Sequence, residues 1–190
     1  TYTPLFMSNL SNQGDIKSIF KRNNTLYIAS FVNVLQLDLS NPSSGPSVYF
    51  LGSGVNTQLG YTPVGFTYRS GDASWYSVFR EGGTNTSGSI ARFNFNPTNE
   101  FTSVHNFQSG ALGQDPTTKL TDGLNGSIYG TAPQGPTGED YVLFELNSIG
   151  VYSVLHSFTS HDDGLDISAA PVLVGGKLYG ISERYGQFGG

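Results

Sequence analysis

The chain has 190 residues, enough to bury a core, and its 25 glycines and 9 prolines predict many turns and exclude a fold of long helices. Only 12% of the residues are charged and the net charge is -5, which excludes a basic surface for nucleic acid or anionic lipid. The absence of cysteine excludes disulfides, thiolate metal sites and thiol nucleophiles.

Short segments that alternate apolar and polar residues recur along the chain, separated by Gly, Pro, Asn and Asp. This alternation predicts half-buried β-strands. The tyrosines of the central strands are spaced by 49, 53 and 50 residues, at Tyr27, Tyr76, Tyr129 and Tyr179. A period of about 50 residues with several strands in each unit predicts stacked or radially arranged sheets.

The other strands keep the same period. Phe93 and Phe144 are 51 residues apart in one strand type, and His105 and His156 are 51 apart in the next. An apolar segment and a tight turn precede the tyrosine strand at residues 16–20, 64–68 and 172–174. The turns contain Asn, Gly and Asp, which tolerate the positive φ of hairpin turns. Each unit is therefore predicted to be a four-stranded antiparallel meander.

The predicted fold class is all-β, a β-propeller of four-stranded antiparallel blades with repeats of about 50 residues, left incomplete by this chain. We predict one domain, or a fragment of one, over residues 1–190. Its units are approximately residues 8–51, 60–107, 116–158 and 169–190, preceded by a strand at residues 2–7. The last unit lacks a third strand, so we expect further residues or a neighbouring subunit to cover its exposed edge.

The repeat resembles the GloVer-type tandem repeats. The resemblance is carried by Gly-Ser-Ile-Tyr-Gly at 126–130, Val-Leu-Phe at 142–144, Val-Leu-His-Ser-Phe at 154–158 and Gly-Lys-Leu-Tyr-Gly at 176–180. It covers roughly residues 101–190 and weakens toward the N-terminus, where Ile28 and Ser77 replace the glycine after tyrosine. The resemblance implies a secreted or surface-displayed β-propeller and supplies no catalytic residue.

An acidic loop at residues 161–166 is the densest polar cluster in the sequence. Its carboxylates, Asp162, Asp163 and Asp166, are of the kind that calcium binds on a flexible loop. The spacing departs from the alternating pattern of calcium loops, so a solvated acidic turn is favoured and a calcium site is the alternative. No other cofactor is predicted.

Two further groups of residues are of types found in catalytic or metal sites, but a structural role is favoured for both. His105 and His156 occupy the same position in different units, which favours a repeated structural hydrogen bond over catalysis. Glu139 and Asp140 form a charged strand end of the kind that blunts edge pairing.

The sequence also lacks the nucleophile-elbow, phosphate-loop and zinc-protease motifs, so we predict that the chain is not an enzyme. A calcium-dependent glycosidase-like or lactonase-like propeller, using Asp162, Asp163 and Glu139, is the enzymatic alternative.

Aromatic residues at or near loops are the remaining binding signal, since tyrosine and tryptophan are enriched at binding surfaces. The predicted ligand-binding residues are Trp75, Tyr61, Tyr68, Tyr185 and Phe188. The predicted function is a non-enzymatic extracellular recognition or surface-display module that binds glycan or protein, without nucleic acid or membrane insertion. A self-associating structural subunit of an extracellular assembly or filament is the alternative.

Four sequons support a secreted or cell-surface glycoprotein. They begin at Asn9, Asn23, Asn85 and Asn125.

Overall fold

The computed structural model describes residues 16–30, 33–45, 47–50, 60, 62–94, 100–134, 140–159, 162–167 and 169–186. Within these ranges the regular structure consists of β-strands and two short 3-10 turns, so the predicted all-β class is confirmed. No helix in the same ranges is long and apolar enough to cross a membrane. The chain divides into two compact units, Thr1–Asn56 and Thr57–Gly190. The predicted strand at residues 2–7 lies outside the described residues.

The first unit contains one four-stranded antiparallel sheet, which we call the first sheet. Its strands are β1 (Ile16–Arg22), β2 (Thr25–Ser30), β3 (Asn33–Asp38) and β4 (Ser47–Phe50). The β1–β2 hairpin turns at Asn23, whose φ of 50° is one that asparagine tolerates. Tyr27 stacks on Phe20 with 5.0 Å between ring centroids, and Val34 and Leu37 are buried beside β2. The predicted meander is confirmed for this unit.

The second unit contains two more meanders of the same kind. The second sheet consists of β5 (Pro63–Arg69), β6 (Ser74–Phe79), β7 (Ser89–Asn94) and β8 (Glu100–Asn106). The third sheet consists of β9 (Thr121–Asp122), β10 (Ile128–Gln134), β11 (Asp140–Leu146) and β12 (Tyr152–Phe158). Strands pair in chain order in both sheets, as the sequence predicted.

Two short nested hairpins follow the third sheet. The inner pair is β14 (Val172–Val174) and β15 (Lys177–Tyr179), and the outer pair is β13 (Leu165–Ile167) and β16 (Ser182–Arg184). The inner hairpin was predicted and the outer one was not, because β13 and β16 pair across the whole inner hairpin, a contact that alternation within a single segment does not reveal. Together β15 and β16 occupy the repeat positions that β10 occupies in the third sheet.

Each sheet has two faces, because side chains alternate along a strand. We call the face that carries the repeat tyrosine, Tyr76, Tyr129 or Tyr179, the tyrosine face and the other side the opposite face. The tyrosine face of the second sheet packs on the opposite face of the third. This contact buries a core of Tyr76, Val78, Ile90, Phe107, Leu120, Ile128, Ala132, Val142, Phe144 and Leu146. The sheets of the second unit are therefore held together by apolar packing, the dominant favourable term in folding.

Candidate functional site

The strands that open the successive repeat units lie side by side. In the second unit β5 contacts β9, and β9 contacts β14. The line along which they meet is an open cleft of about 340 Å³, which we call the first-strand cleft. It is lined by Phe66, Thr67, Lys119, Leu120, Thr121, Asp122, Ala170, Pro171 and Val172. Residues of three consecutive repeats therefore line the cleft.

Hydrogen bonds tie the walls of the first-strand cleft together. Thr67 Oγ1 donates to the Leu120 carbonyl at 2.6 Å, and Thr121 Oγ1 donates to the Pro171 carbonyl. The backbone N–H of Ser70 donates to the Asp122 carboxylate, with 3.3 Å to each oxygen. Both threonine hydroxyls therefore donate to backbone carbonyls of the protein itself. Exposed Lys119 and half-buried Asp122 supply the charged groups of the cleft.

A partly buried ionic cluster lies at the end of β5. The Arg69 side chain is 5% exposed, and its Nη2 lies 2.5 Å from Asp72 Oδ2, which also accepts from Tyr76 Oη at 2.8 Å. The Arg69 guanidinium also lies over the Tyr76 ring, 4.5 Å from the centroid. Arg69 Nη1 donates to the Asn147 carbonyl at 3.2 Å, so the cluster links the second sheet to the third.

The charges of this cluster stabilise one another. Burial alone would raise the pKa of Asp72, but hydrogen bonds from Arg69 and Tyr76 outweigh it and hold that pKa below its ordinary value. Burial would lower the pKa of Arg69, and its contacts with Asp72 and Tyr76 raise it instead. Burial and the hydrogen bond to Asp72 raise the pKa of Tyr76. The cluster therefore behaves as a structural ion pair with a neutral tyrosine, and it is not among the sites predicted from the sequence.

The predicted ligand-binding aromatics do not line the first-strand cleft. Trp75 is buried, 7% exposed, and its ring meets the half-buried Tyr68 ring edge-on with 5.0 Å between centroids. Tyr185 is 45% exposed after β16, with a φ of 63°. Tyr61 and Phe188 lie outside the described residues. Of the three aromatics that the structure describes, only Tyr185 presents a largely exposed side chain.

The acidic loop makes separate contacts with its surroundings. Asp163 Oδ2 lies 3.6 Å from His156 Nε2, and both side chains are exposed. Asp166 accepts a hydrogen bond from Tyr141 Oη at 3.4 Å and pairs with Arg184 Nε at 3.4 Å. Within the described part of the chain, no three His, Asp or Glu side chains are grouped as metal ligands. Asp162 is exposed, and His161 and Glu139 lie outside the described residues.

The two repeat-equivalent histidines have different environments. The His105 ring stacks on Tyr152 at 3.8 Å between centroids with an interplanar angle of 5°, and its buried Nε2 has no hydrogen-bond partner. Burial lowers the pKa of His105 to about 4. His156 is exposed beside Asp163. The expected shared hydrogen bond is therefore wrong, because the His105 ring packs between two sheets whereas His156 lies at the surface.

Two of the sequon asparagines are exposed in turns. Asn23 and Asn125 both have positive φ, at 50° and 57°. Asn85 is also exposed, but its Nδ2 donates to the Phe107 carbonyl at 3.2 Å. Asn9 lies outside the described residues. Asn23 and Asn125 are therefore the sequons whose side-chain amides the structure leaves most accessible.

Compared with known proteins, the chain matches no family model, no curated protein and no solved structure. The resemblance to GloVer-type repeats stays a prediction, and function has to be argued from the geometry of the sites.

Proposed function

We propose that the repeat units are blades of a β-propeller. Two features of the second unit support this arrangement. The first strands β5, β9 and β14 are neighbours, as the innermost strands of consecutive blades are, and the tyrosine face of the second sheet packs on the opposite face of the third. Electron microscopy or crystallography of the full chain tests the proposal. Blades arranged around an axis are expected, and two sheets packed as a closed sandwich would contradict it.

In this proposal the chain is a non-enzymatic recognition or surface-display module that binds glycan or protein. The observation that carries this function is the first-strand cleft, which three successive units build and which remains open. Its lysine and carboxylate can donate to and accept from sugar hydroxyls or a peptide backbone. A site at the meeting line of several repeats is also one that a single repeat could not form.

Binding of a glycan array and capture of extracellular proteins test the function with two matched variants. Lys119→Ala removes the ammonium group of the first-strand cleft, whereas Lys177→Ala removes another exposed lysine, on β15, that does not line it. We expect Lys119→Ala to weaken binding and Lys177→Ala to leave it unchanged. Absence of any glycan or protein ligand, or equal effects of the two variants, would remove the proposal.

The proposed location is extracellular, and the accessible sequons at Asn23 and Asn125 support it. Expression with the secretion route of a glycosylating host provides the test. We expect a mass decrease on enzymatic deglycosylation that disappears in the double variant Asn23→Gln, Asn125→Gln. A secreted wild-type protein without glycan at either site would count against the glycoprotein assignment.

A second candidate function is a subunit of an extracellular assembly. The inner hairpin favours it, because Val172, Tyr179 and Ile181 expose 57%, 56% and 65% of their surface on or beside β14 and β15. At the repeat positions of Tyr179 and Ile181, the second sheet has Tyr76 and Val78, which are 2% and 0% exposed. An exposed apolar patch at positions that are buried elsewhere in the repeat is typical of an association surface. Sedimentation equilibrium at increasing protein concentration tests this candidate.

A further inference from the structure

The last hairpins contain an open slot where the third sheet buries an aromatic ring. Gly130 of β10 lies opposite Phe144 of β11, whose ring is fully buried. A β-carbon built on Gly130 would lie 2.5 Å from Phe144 Cζ, so this glycine makes room for the ring. The same Tyr-Gly pair recurs 50 residues later at Gly180, where a β-carbon would meet no atom within 4 Å. The described residues therefore keep the glycine and supply no ring to cover it.

The space over Gly180 belongs to a half-open cavity of about 270 Å³. Thr131 and Leu143 of the third sheet line it, together with Leu178, Gly180 and Ser182 of the last hairpins. Leu178 and Ser182 are the repeat equivalents of Ile128 and Ala132, which flank the Phe144 ring position in the third sheet. An apolar cavity of about 150 Å³ is large enough to bind benzene, so this cavity can hold an aromatic side chain.

The strand edge beside the slot is also available within the described part of the chain. There β15 pairs only with β14, and β16 pairs only with β13. In the third sheet, the corresponding edge of β10 pairs with β11 from Ile128 to Gln134. An unpaired edge presents N–H and C=O groups that an added antiparallel strand can satisfy. An added strand could therefore pair with β15 and β16 and place a side chain over Gly180, as β11 pairs with β10 and places Phe144 over Gly130.

Charge indicates the sequence of a strand that would fit. Gln134 lies opposite Asp140 in the β10–β11 register. Its repeat equivalent is Arg184, whose side chain is 61% exposed, with its Nε 3.4 Å from Asp166 Oδ2. An acidic residue four positions before the aromatic, as Asp140 stands before Phe144, would therefore face a cation. The pattern favours a strand of the β11 type over an arbitrary apolar segment.

We propose that the slot over Gly180 and the β15–β16 edge form an acceptor site for an extended strand of the β11 type from a further unit of this repeat. The added strand pairs antiparallel with β15 and β16, places an aromatic side chain over Gly180 and brings an acidic residue to Arg184. That strand is thus recognised through backbone pairing, one largely apolar slot and one charge. The inference rests on the packing of the described sheets and is independent of the first-strand cleft.

The test uses the full chain and a fluorescent peptide with the sequence of residues 140–147, Asp-Tyr-Val-Leu-Phe-Glu-Leu-Asn. Fluorescence anisotropy measures binding, and hydrogen exchange measures protection at Lys177–Tyr179 and Ser182–Arg184. We expect saturable binding and slower amide exchange in both segments. A peptide in which the phenylalanine is replaced by alanine should bind at least about tenfold more weakly, because it cannot fill the slot.

Protein variants locate the bound peptide. Gly180→Leu fills the slot with a side chain and is expected to weaken binding at least about tenfold, since the φ of Gly180 is outside the left-handed region and the space around it is open. Lys119→Ala should leave peptide binding unchanged, which separates this site from the first-strand cleft. No saturable binding of the parent peptide, or equal binding of the parent and alanine peptides, would overturn the proposal. The peptide comparison decides the matter even if Gly180→Leu fails to fold.

Discussion

Two glycines at equivalent repeat positions show whether side-chain packing or backbone conformation requires the glycine of the motif. Gly130 and Gly180 both follow the repeat tyrosine, and neither has a φ in the left-handed region. Gly130 is buried beneath the Phe144 ring, whereas Gly180 is exposed. The glycine of the motif is therefore explained by the ring that lies over it, because neither backbone conformation demands it.

Gly130→Ala is expected to lower the free energy of unfolding by about 1–3 kcal/mol, because the new methyl group overpacks a core that cannot yield freely. Gly180→Ala is expected to change it by less than about 0.5 kcal/mol, since its methyl group enters open space. Urea denaturation of both variants measures the difference. Equal destabilisation would mean that the glycine serves the backbone after all.

His105 predicts how stability depends on pH. Its pKa in the folded protein is about 4, below the ordinary value of 6.5, so the unfolded chain binds the proton more tightly. Stability should therefore be complete above about pH 6.5 and decrease as the pH falls toward about 4. The full shift corresponds to about 3 kcal/mol, and solvent screening of a half-buried ring reduces the expected loss to about 1–2 kcal/mol.

His105→Phe keeps a ring against Tyr152 and removes the titrating group, so it should abolish this part of the acid sensitivity. Its equivalent His156→Phe is the matched control, because His156 is exposed beside Asp163. Thermal melting at neutral pH and at about pH 5 compares the three proteins. If His156→Phe removed the acid sensitivity and His105→Phe did not, the stacked histidine would not be its source.

At the scale of elements, alternation predicts the strands that are long enough to display it. β6, β10 and β11 have six or seven residues and were placed correctly, with the turns between them. β9 has two residues, too few to display alternation, and β13 pairs with β16 across the inner hairpin. The first-strand cleft depends on β9 and on its contacts with β5 and β14, which explains why the sequence did not predict it.

Contacts between distant residues explain the other differences at the sites. Arg69 is close to Asp72 in sequence, but its bond to the Asn147 carbonyl spans 78 residues. Trp75 was expected near a binding surface and is buried within the second sheet. Exposure of an aromatic depends on what covers it in three dimensions, and strand alternation gives only the face on which it lies.

The Arg69 cluster should be a strong link between two elements. Breaking a fully buried ion pair costs about 3–5 kcal/mol. Because the Asp72 side chain is 27% exposed, we expect Arg69→Met to lower the free energy of unfolding by about 2–3 kcal/mol. The double variant Arg69→Met, Asp72→Asn should lose less than the sum of the single variants, since each removes the same pair.

Acid titration gives an independent measurement of the same pair. The folded pKa of Asp72 is lowered below 3.8, so its contribution is present above that pH and is lost as the pH falls through the folded value. Arg69→Met should therefore flatten the loss of stability below about pH 4. Urea denaturation across this range decides the point, and an unchanged acid profile together with additive losses would show that the two side chains are not coupled.

At the scale of the whole molecule, one repeat position changes its environment from unit to unit. The tyrosine is 9% exposed at Tyr27 and 2% at Tyr76, but 56% exposed at Tyr179. The next alternate position, on the same face of the strand, is 0% exposed at Ala29 and at Val78 and 65% exposed at Ile181. Apolar residues at equivalent positions are thus buried in two sheets and exposed in the last hairpin. Exposed aromatic and aliphatic residues of this kind are typical of an interface.

Variants of two exposed isoleucines distinguish self-association through that face from non-specific hydrophobic association. Ile181 is 65% exposed beside β15, and Ile149 is 82% exposed in the turn between β11 and β12. If the assembly candidate holds, Ile181→Lys should weaken association, because a buried unpaired charge is costly, whereas Ile149→Lys should leave it unchanged. Sedimentation equilibrium from micromolar to millimolar concentration measures both. A wild-type chain that remains monomeric throughout, or two variants that reduce association equally, would rule out self-docking through the last hairpin.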